Sequence, residues 1–180
     1  MILCLRQNGF KKLFPKRPKP KQLQYFINGA ARHEILQKIY GKGVSEKKGR
    51  FLAVDYSIDI FDNGEPIEIK TTFASHDKPQ HYQDQIAYYM LATKAAIGHL
   101  LIIRENPRIE SPFEPYRMEW ESEEESESYR KRLIEKRDLL MVALQNKDVS
   151  SLPIWRGEKD WLCRNCLWRE ECDKIEGIIR

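Results

Sequence analysis

The chain has 180 residues, 41% of them hydrophobic and 32% charged, with a formal net charge of +4. That length suits one domain with its own core and a small appendage, and no apolar run approaches the ~20 residues that a bilayer-spanning helix needs. The opening Met-Ile-Leu-Cys-Leu-Arg has no basic stretch ahead of a long apolar one, so no signal peptide is read and a cytoplasmic, reducing setting is expected, where structural disulfides are disfavoured.

The charge is unevenly spread. Residues 1–50 hold 13 Lys/Arg against 2 Glu, and residues 51–180 hold 18 Lys/Arg against 25 Asp/Glu. The basic first quarter predicts a polyanionic partner. Within it, residues 11–21 are basic and broken by proline, and read as an extended segment. Ile27, Ala31, Ile35 and Ile39 recur at helical spacing, which predicts a helix over 22–40 that stops at Gly41-Lys42-Gly43.

Residues 50–73 read as two strands joined at Asn63-Gly64, the strongest short signal for a two-residue type I′ turn. Placing those residues in the turn sets Asp62 opposite Glu65, Phe61 opposite Pro66, Ile60 opposite Ile67 and Asp59 opposite Glu68. Side chains alternate between faces, so Ile58, Ile60, Ile67 and Ile69 share one face and Asp59, Glu68 and Lys70 the other. Two carboxylates facing each other repel unless a cation lies between them. A hard divalent ion such as Mg²⁺ or Mn²⁺ takes oxygen ligands. With Lys70 beside it, that set suits phosphodiester hydrolysis. Asp55, on the same face but four residues further from the turn, competes with Asp59 and is disfavoured by the register.

A second helix is predicted over 78–97, with Ile86, Ala87, Met90 and Leu91 on its buried stripe and Gly98 ending it. A buried strand follows over 99–104, then a proline-rich loop, a strand near 115–120, and a long helix to about 146 whose Glu-rich start opposes the helix dipole. The order predicts an α/β fold, a mixed central sheet flanked by helices. Three segments are expected: a basic N-terminal piece over 1–21, a core over 22–148 and a cysteine module over 149–180. Cys163, Cys166 and Cys172 form a C-x2-C-x5-C run, with Cys4 far away in sequence. In a reducing compartment such a run points to metal. A compact trio with one distant thiol suits an iron–sulfur cluster; zinc and unliganded thiols remain open readings. Trp155, Trp161 and Trp168 are expected to pack around this module.

In order, the signals are Cys4, Gly29-Ala-Ala-Arg-His33-Glu34, Asp59, Glu68-Ile-Lys70, Gln85-Ile-Ala-Tyr-Tyr89 and the terminal cysteines. Over nearly its whole length the chain resembles the RecB-like branch of the PD-(D/E)XK nucleases. It is most similar to the CRISPR-associated Cas-four family and also resembles the nuclease domains of AddB-type helicase–nucleases. The resemblance implies a restriction-endonuclease-like core with a C-terminal cysteine cluster module. It implies His33, Asp59, Glu68 and the Ile69 carbonyl as ligands of Mg²⁺ or Mn²⁺, and Lys70 as the catalytic lysine. Gln85 and Tyr89 would orient that lysine and the nucleic-acid backbone. Cys4, Cys163, Cys166 and Cys172 would bind a 4Fe-4S cluster. The implied activity is cleavage of DNA, single strands above all, from an end or internally, with CRISPR adaptation proteins or a helicase as partners. The other readings are a non-catalytic subunit that serves a partner enzyme, and a zinc-stabilised nucleic-acid-binding protein.

Overall fold

The computed structural model describes residues 4–72, 80–104, 113–154, 163 and 166–177. Five strands form one mixed sheet in the order β1-β2-β3-β4-β5. They are β1 (Val44–Phe51), β2 (Val54–Asp62), β3 (Glu65–Thr72), β4 (Ile97–Arg104) and β5 (Phe113–Glu119). The β3–β4 pair is parallel and the other neighbours are antiparallel. The helices are α1 (Leu5–Leu13), α2 (Pro20–Tyr40), α3 (Gln80–Thr93), α4 (Glu123–Gln145) and α5 (Arg169–Ile175). The result is a mixed α/β fold whose sheet is flanked by helices, with α3 as the crossover that a parallel strand pair requires. Among the described residues no helix is long and apolar enough to cross a membrane.

The hairpin forms at Asn63-Gly64, where both residues have positive φ, 49° and 87°. A type I′ turn demands such values, and glycine reaches them without a Cβ clash. From that turn the register runs Asp62–Glu65, Phe61–Pro66 and Ile60–Ile67, and there the ladder stops. Ile58, Ile60 and Ile69 are buried, together with Leu100 and Ile102 of β4 and Ile86 and Met90 of α3.

Three expectations are corrected. Residues 11–13 belong to α1 and 20–21 to α2, which leaves only 14–19 of the expected extended segment outside a helix. A further strand, β1, precedes the hairpin; its Val-Ser-Glu-Lys-Lys-Gly-Arg-Phe is polar and largely exposed, as suits a sheet edge. The second helix stops at Thr93, where Lys94 turns to positive φ. Gly98 therefore lies inside β4, and a Cβ there would come within 2.7 Å of Ile86 and 2.9 Å of Met90, so the missing side chain lets helix and sheet approach. The helix that Ile27, Ile35 and Ile39 announce by their spacing forms as α2, and those three side chains are exposed.

The chain divides into two compact units, one holding Lys21–Arg130 and the other Ile2–Pro20 with Lys131–Arg180. The sheet, α2 and α3 belong to the first. In the second, Leu5, Phe10, Ala143, Val149, Leu152 and Trp168 form a buried core, so residues from both ends of the sequence share one interior. Trp168 stacks on Phe10, and its indole N–H donates to the Phe14 carbonyl at 2.9 Å; Trp155 and Trp161 lie outside the described residues. Gly9 sets how closely α1 approaches: a Cβ there would lie 2.7 Å from Val149 and 2.8 Å from Leu152. Gly9→Ala should therefore destabilise the protein by about 1–3 kcal/mol through overpacking. Gly29→Ala, with nothing within 4 Å of the added atom, should gain up to about 1 kcal/mol from helix propensity. Thermal denaturation of the two variants checks this opposition of sign.

Candidate functional site

The first unit gathers polar side chains where β2 and β3 part. Below Ile60–Ile67 the Asp59 carboxylate takes the place of the next ladder bond, and Oδ2 accepts the Ile69 N–H at 2.8 Å. Asp59 and Glu68 are thus not a ladder pair, as the hairpin alone would have made them; the side chain of one holds the strand that carries the other. α2 brings two residues to the same point. His33 Nδ1 lies 3.4 Å from Asp59 Oδ1, and Gln37 Nε2 donates to the Asp59 carbonyl at 2.8 Å. From β3, Lys70 Nζ pairs with Glu68 Oε1.

Glu68 is 2% exposed, and its other oxygen, Oε2, is buried without a hydrogen-bond partner. Burial pushes its carboxyl up to about 7, against the pull of the Lys70 ammonium. His33 is raised from its ordinary value, chiefly by its hydrogen bond to Asp59 and against its own burial. α3 adds Gln85 and Tyr89. The Tyr89 hydroxyl accepts from Gln85 Nε2 at 2.8 Å and donates to the Ser57 carbonyl at 2.7 Å, two residues before Asp59. Burial holds the Tyr89 phenol well above its usual range, and the nearby Glu68 charge acts the same way. The competitor, Asp55, is occupied elsewhere: its two oxygens take the Arg50 guanidinium at 2.6 and 3.1 Å on the exposed β1–β2 hairpin.

In the second unit none of the four cysteines is in a disulfide. Cys4 is buried at the start of α1, where its Sγ accepts the Gln7 N–H at 3.4 Å. The Trp168 backbone and the Gln7 side chain pull the Cys166 thiol down against its burial, and Cys4 and Cys172 lie close enough to act on it electrostatically. Arg6 Nη1 reaches Cys172 Sγ at 3.8 Å. The N–H of Cys166 donates to the Cys163 carbonyl at 3.1 Å. Burial raises the thiols of Cys166 and Cys172.

Both donor sets fit metals in their chemistry. In the first, a buried carboxylate oxygen with no partner, an imidazole and a second carboxylate suit a hard divalent ion. In the second, N–H groups that reach the sulfurs of Cys4 and Cys172 suit thiolates that carry charge, since metal-bound sulfur is commonly hydrogen-bonded from an outer shell. Neither set is a ready-made cage: no three His, Cys, Asp or Glu side chains among the described residues stand together as a ligand group, and Glu68 Oε1 is paired with Lys70.

No family model and no curated protein matches the chain. Its fold is similar to that in the crystal structure of SSO0001. The TM-score is 0.59 at 17% sequence identity, over 94% of this chain and 81% of that chain. A likeness at this identity speaks to the fold alone.

Around these sites stand residues that sequence reasoning passed over. Gln37 lies one turn after His33 on α2, and that i, i+4 spacing was its only signal. His81 and Tyr82 open α3 beside Lys70. The ammonium lies 5.7 Å from the Tyr82 ring centroid. Burial, helped by Lys70, pushes His81 down to about 4, so it is a neutral imidazole near neutral pH. His76 lies outside the described residues, and His99 is paired with Glu65 at 2.5 Å.

Proposed function

We propose that this chain is a metal-dependent deoxyribonuclease with a restriction-endonuclease-like core of the RecB type and a C-terminal cysteine module that binds a 4Fe-4S cluster. The observation that carries the reading is a His33–Asp59 contact beside a Lys70–Glu68 pair, near enough for Asp59 and His33 to act electrostatically on Glu68, with a buried Glu68 oxygen left unpartnered. Asp59, Glu68, His33 and the Ile69 carbonyl would hold Mg²⁺ or Mn²⁺, which when bound supplies an activated water and offsets charge on the phosphate. Lys70 presents a cation to the developing negative charge, backed by the Tyr82 ring. Asp59 also fixes the β3 backbone through the Ile69 amide. Gln85 and Tyr89 hold the β2 backbone at Ser57 and so steady the approach to Asp59.

The basic first fifty residues would bind the DNA backbone without reading sequence, so affinity should fall steeply with salt. Lys16 is already engaged, by Glu171 and the Leu167 carbonyl. The reading places the protein in the cytoplasm, in CRISPR adaptation or DNA end processing, beside adaptation proteins or a helicase.

The test uses end-labelled single- and double-stranded DNA, in linear and circular forms. Cutting should require Mn²⁺ or Mg²⁺, stop on addition of EDTA, and favour single strands. Binding without cutting under every divalent ion tried overturns the enzyme reading and leaves a binding subunit.

A further inference from the structure

Arg6 is 5% exposed, an unusual place for a guanidinium unless every donor is met. In this chain each direction is answered from within the second unit. Nε donates to the Leu152 carbonyl at 2.9 Å and Nη2 to the Ser150 carbonyl at 2.8 Å. Nη1 pairs with the Glu176 carboxylate and also points at Cys172 Sγ, 3.8 Å away. Two main-chain carbonyls after α4 therefore aim one cation at a cysteine sulfur, and a carboxylate from beyond α5 partly neutralises it.

We propose that Arg6 is the positioning residue of the cysteine metal centre, fixing the Cys172 sulfur and lending it positive charge. The proposal rests on the reading of the four cysteines as metal ligands. Thiolate ligands bring excess negative charge, and a buried cation donating to one of them stabilises the bound form. In an iron–sulfur centre it also favours the reduced, more negative state, because hydrogen bonds to sulfur and local charge set the potential. Glu176 acts in the opposite sense, since its carboxylate subtracts from the charge that Arg6 presents. A purely structural Arg6–Glu176 tie predicts that loss of either partner has the same consequence. A charge role predicts opposite ones.

The full-length chain, purified without oxygen, is compared with Arg6→Gln, Arg6→Lys and Glu176→Gln for iron, zinc and sulfide content, release of metal to EDTA, and midpoint potential. Arg6→Gln should release metal about tenfold faster or more, the usual scale for losing an outer-shell partner of a ligand, and lower the potential. Arg6→Lys should fall between, because it keeps the charge and loses the fork. Glu176→Gln should raise the potential. Wild-type release rate and potential in Arg6→Gln overturn the proposal, and so do shifts of equal sign in Arg6→Gln and Glu176→Gln. Should Arg6→Gln not fold, Arg6→Lys and Glu176→Gln decide the same question. If the bound metal is zinc, the release rates decide. A wild-type chain that binds no metal overturns the cysteine reading itself, which is distinct from a loaded wild type whose variants behave normally.

Discussion

Asp59→Asn should slow DNA cutting by about a hundred- to a thousand-fold, the usual scale for removing one charged or donor group from a polar reaction centre, while leaving the fold and DNA binding intact. Asparagine keeps an oxygen that can accept the Ile69 N–H, so β2 and β3 can part as they do in the native chain. What disappears is the negative charge that His33 faces at 3.4 Å and that a divalent ion needs. On the proposed reading DNA affinity comes mainly from basic residues elsewhere, so it should change little. Lys70→Met should act the same way by removing the cation beside the phosphate. Asp55→Asn is the control, because that carboxylate is spent on Arg50 at the exposed hairpin. Rates measured on end-labelled single strands with Mn²⁺, beside binding measured without metal, separate the two effects. An Asp59→Asn protein that cuts at the native rate removes Asp59 from the site.

How much of this could be read in the sequence depended on where each signal came from. The Asn63-Gly64 turn is local chemistry, and it fixed the register as far as Ile60–Ile67. Alternation from that turn put Glu68 and Lys70 on one side of β3. The break below that pair could not be read, because it comes from a side chain replacing a backbone partner, and no pattern of apolar residues records such an exchange. β1 was missed for a different reason. Ser45, Glu46, Lys47 and Lys48 have no alternation to detect, and an edge strand is held by its neighbour rather than by burial of its own face. α1 was hidden because its last turn, with Lys11 and Lys12, runs into the basic stretch broken by Pro15, Pro18 and Pro20, and the whole reads as one extended segment. Ile27, Ile35 and Ile39 show the converse: their periodicity named a helix correctly and said nothing about whether that face is covered. Arg6 left no trace at all. Its acceptors come from Ser150, Leu152, Cys172 and Glu176, and only the folded chain assembles them.

The second large effect sets stability against function at Glu68. In the folded protein without metal its carboxyl is pushed up to about 7, because burial penalises the charge more than Lys70 relieves it. The unfolded chain gives up that proton near the ordinary glutamate value, so between the two values the folded state holds more protons than the unfolded one. Stability must then fall as pH rises through that window, and the loss is complete above it. The full shift corresponds to about 3 kcal/mol. Glu68→Gln removes the buried charge but keeps the shape and a hydrogen-bonding oxygen. It should match the native protein near pH 4, exceed it by up to about 3 kcal/mol at pH 8, and cut DNA at no measurable rate. Mn²⁺ should restore much of the missing stability to the native chain at pH 8 and little to the glutamine variant, since a bound cation is what the ionised carboxylate lacks. Thermal unfolding at the two pH values, with and without Mn²⁺, reads all of this. A glutamine variant less stable than the native protein at pH 8 would mean that the Lys70 pairing outweighs the cost of burial, and that Glu68 is held for structure rather than kept ready for a metal.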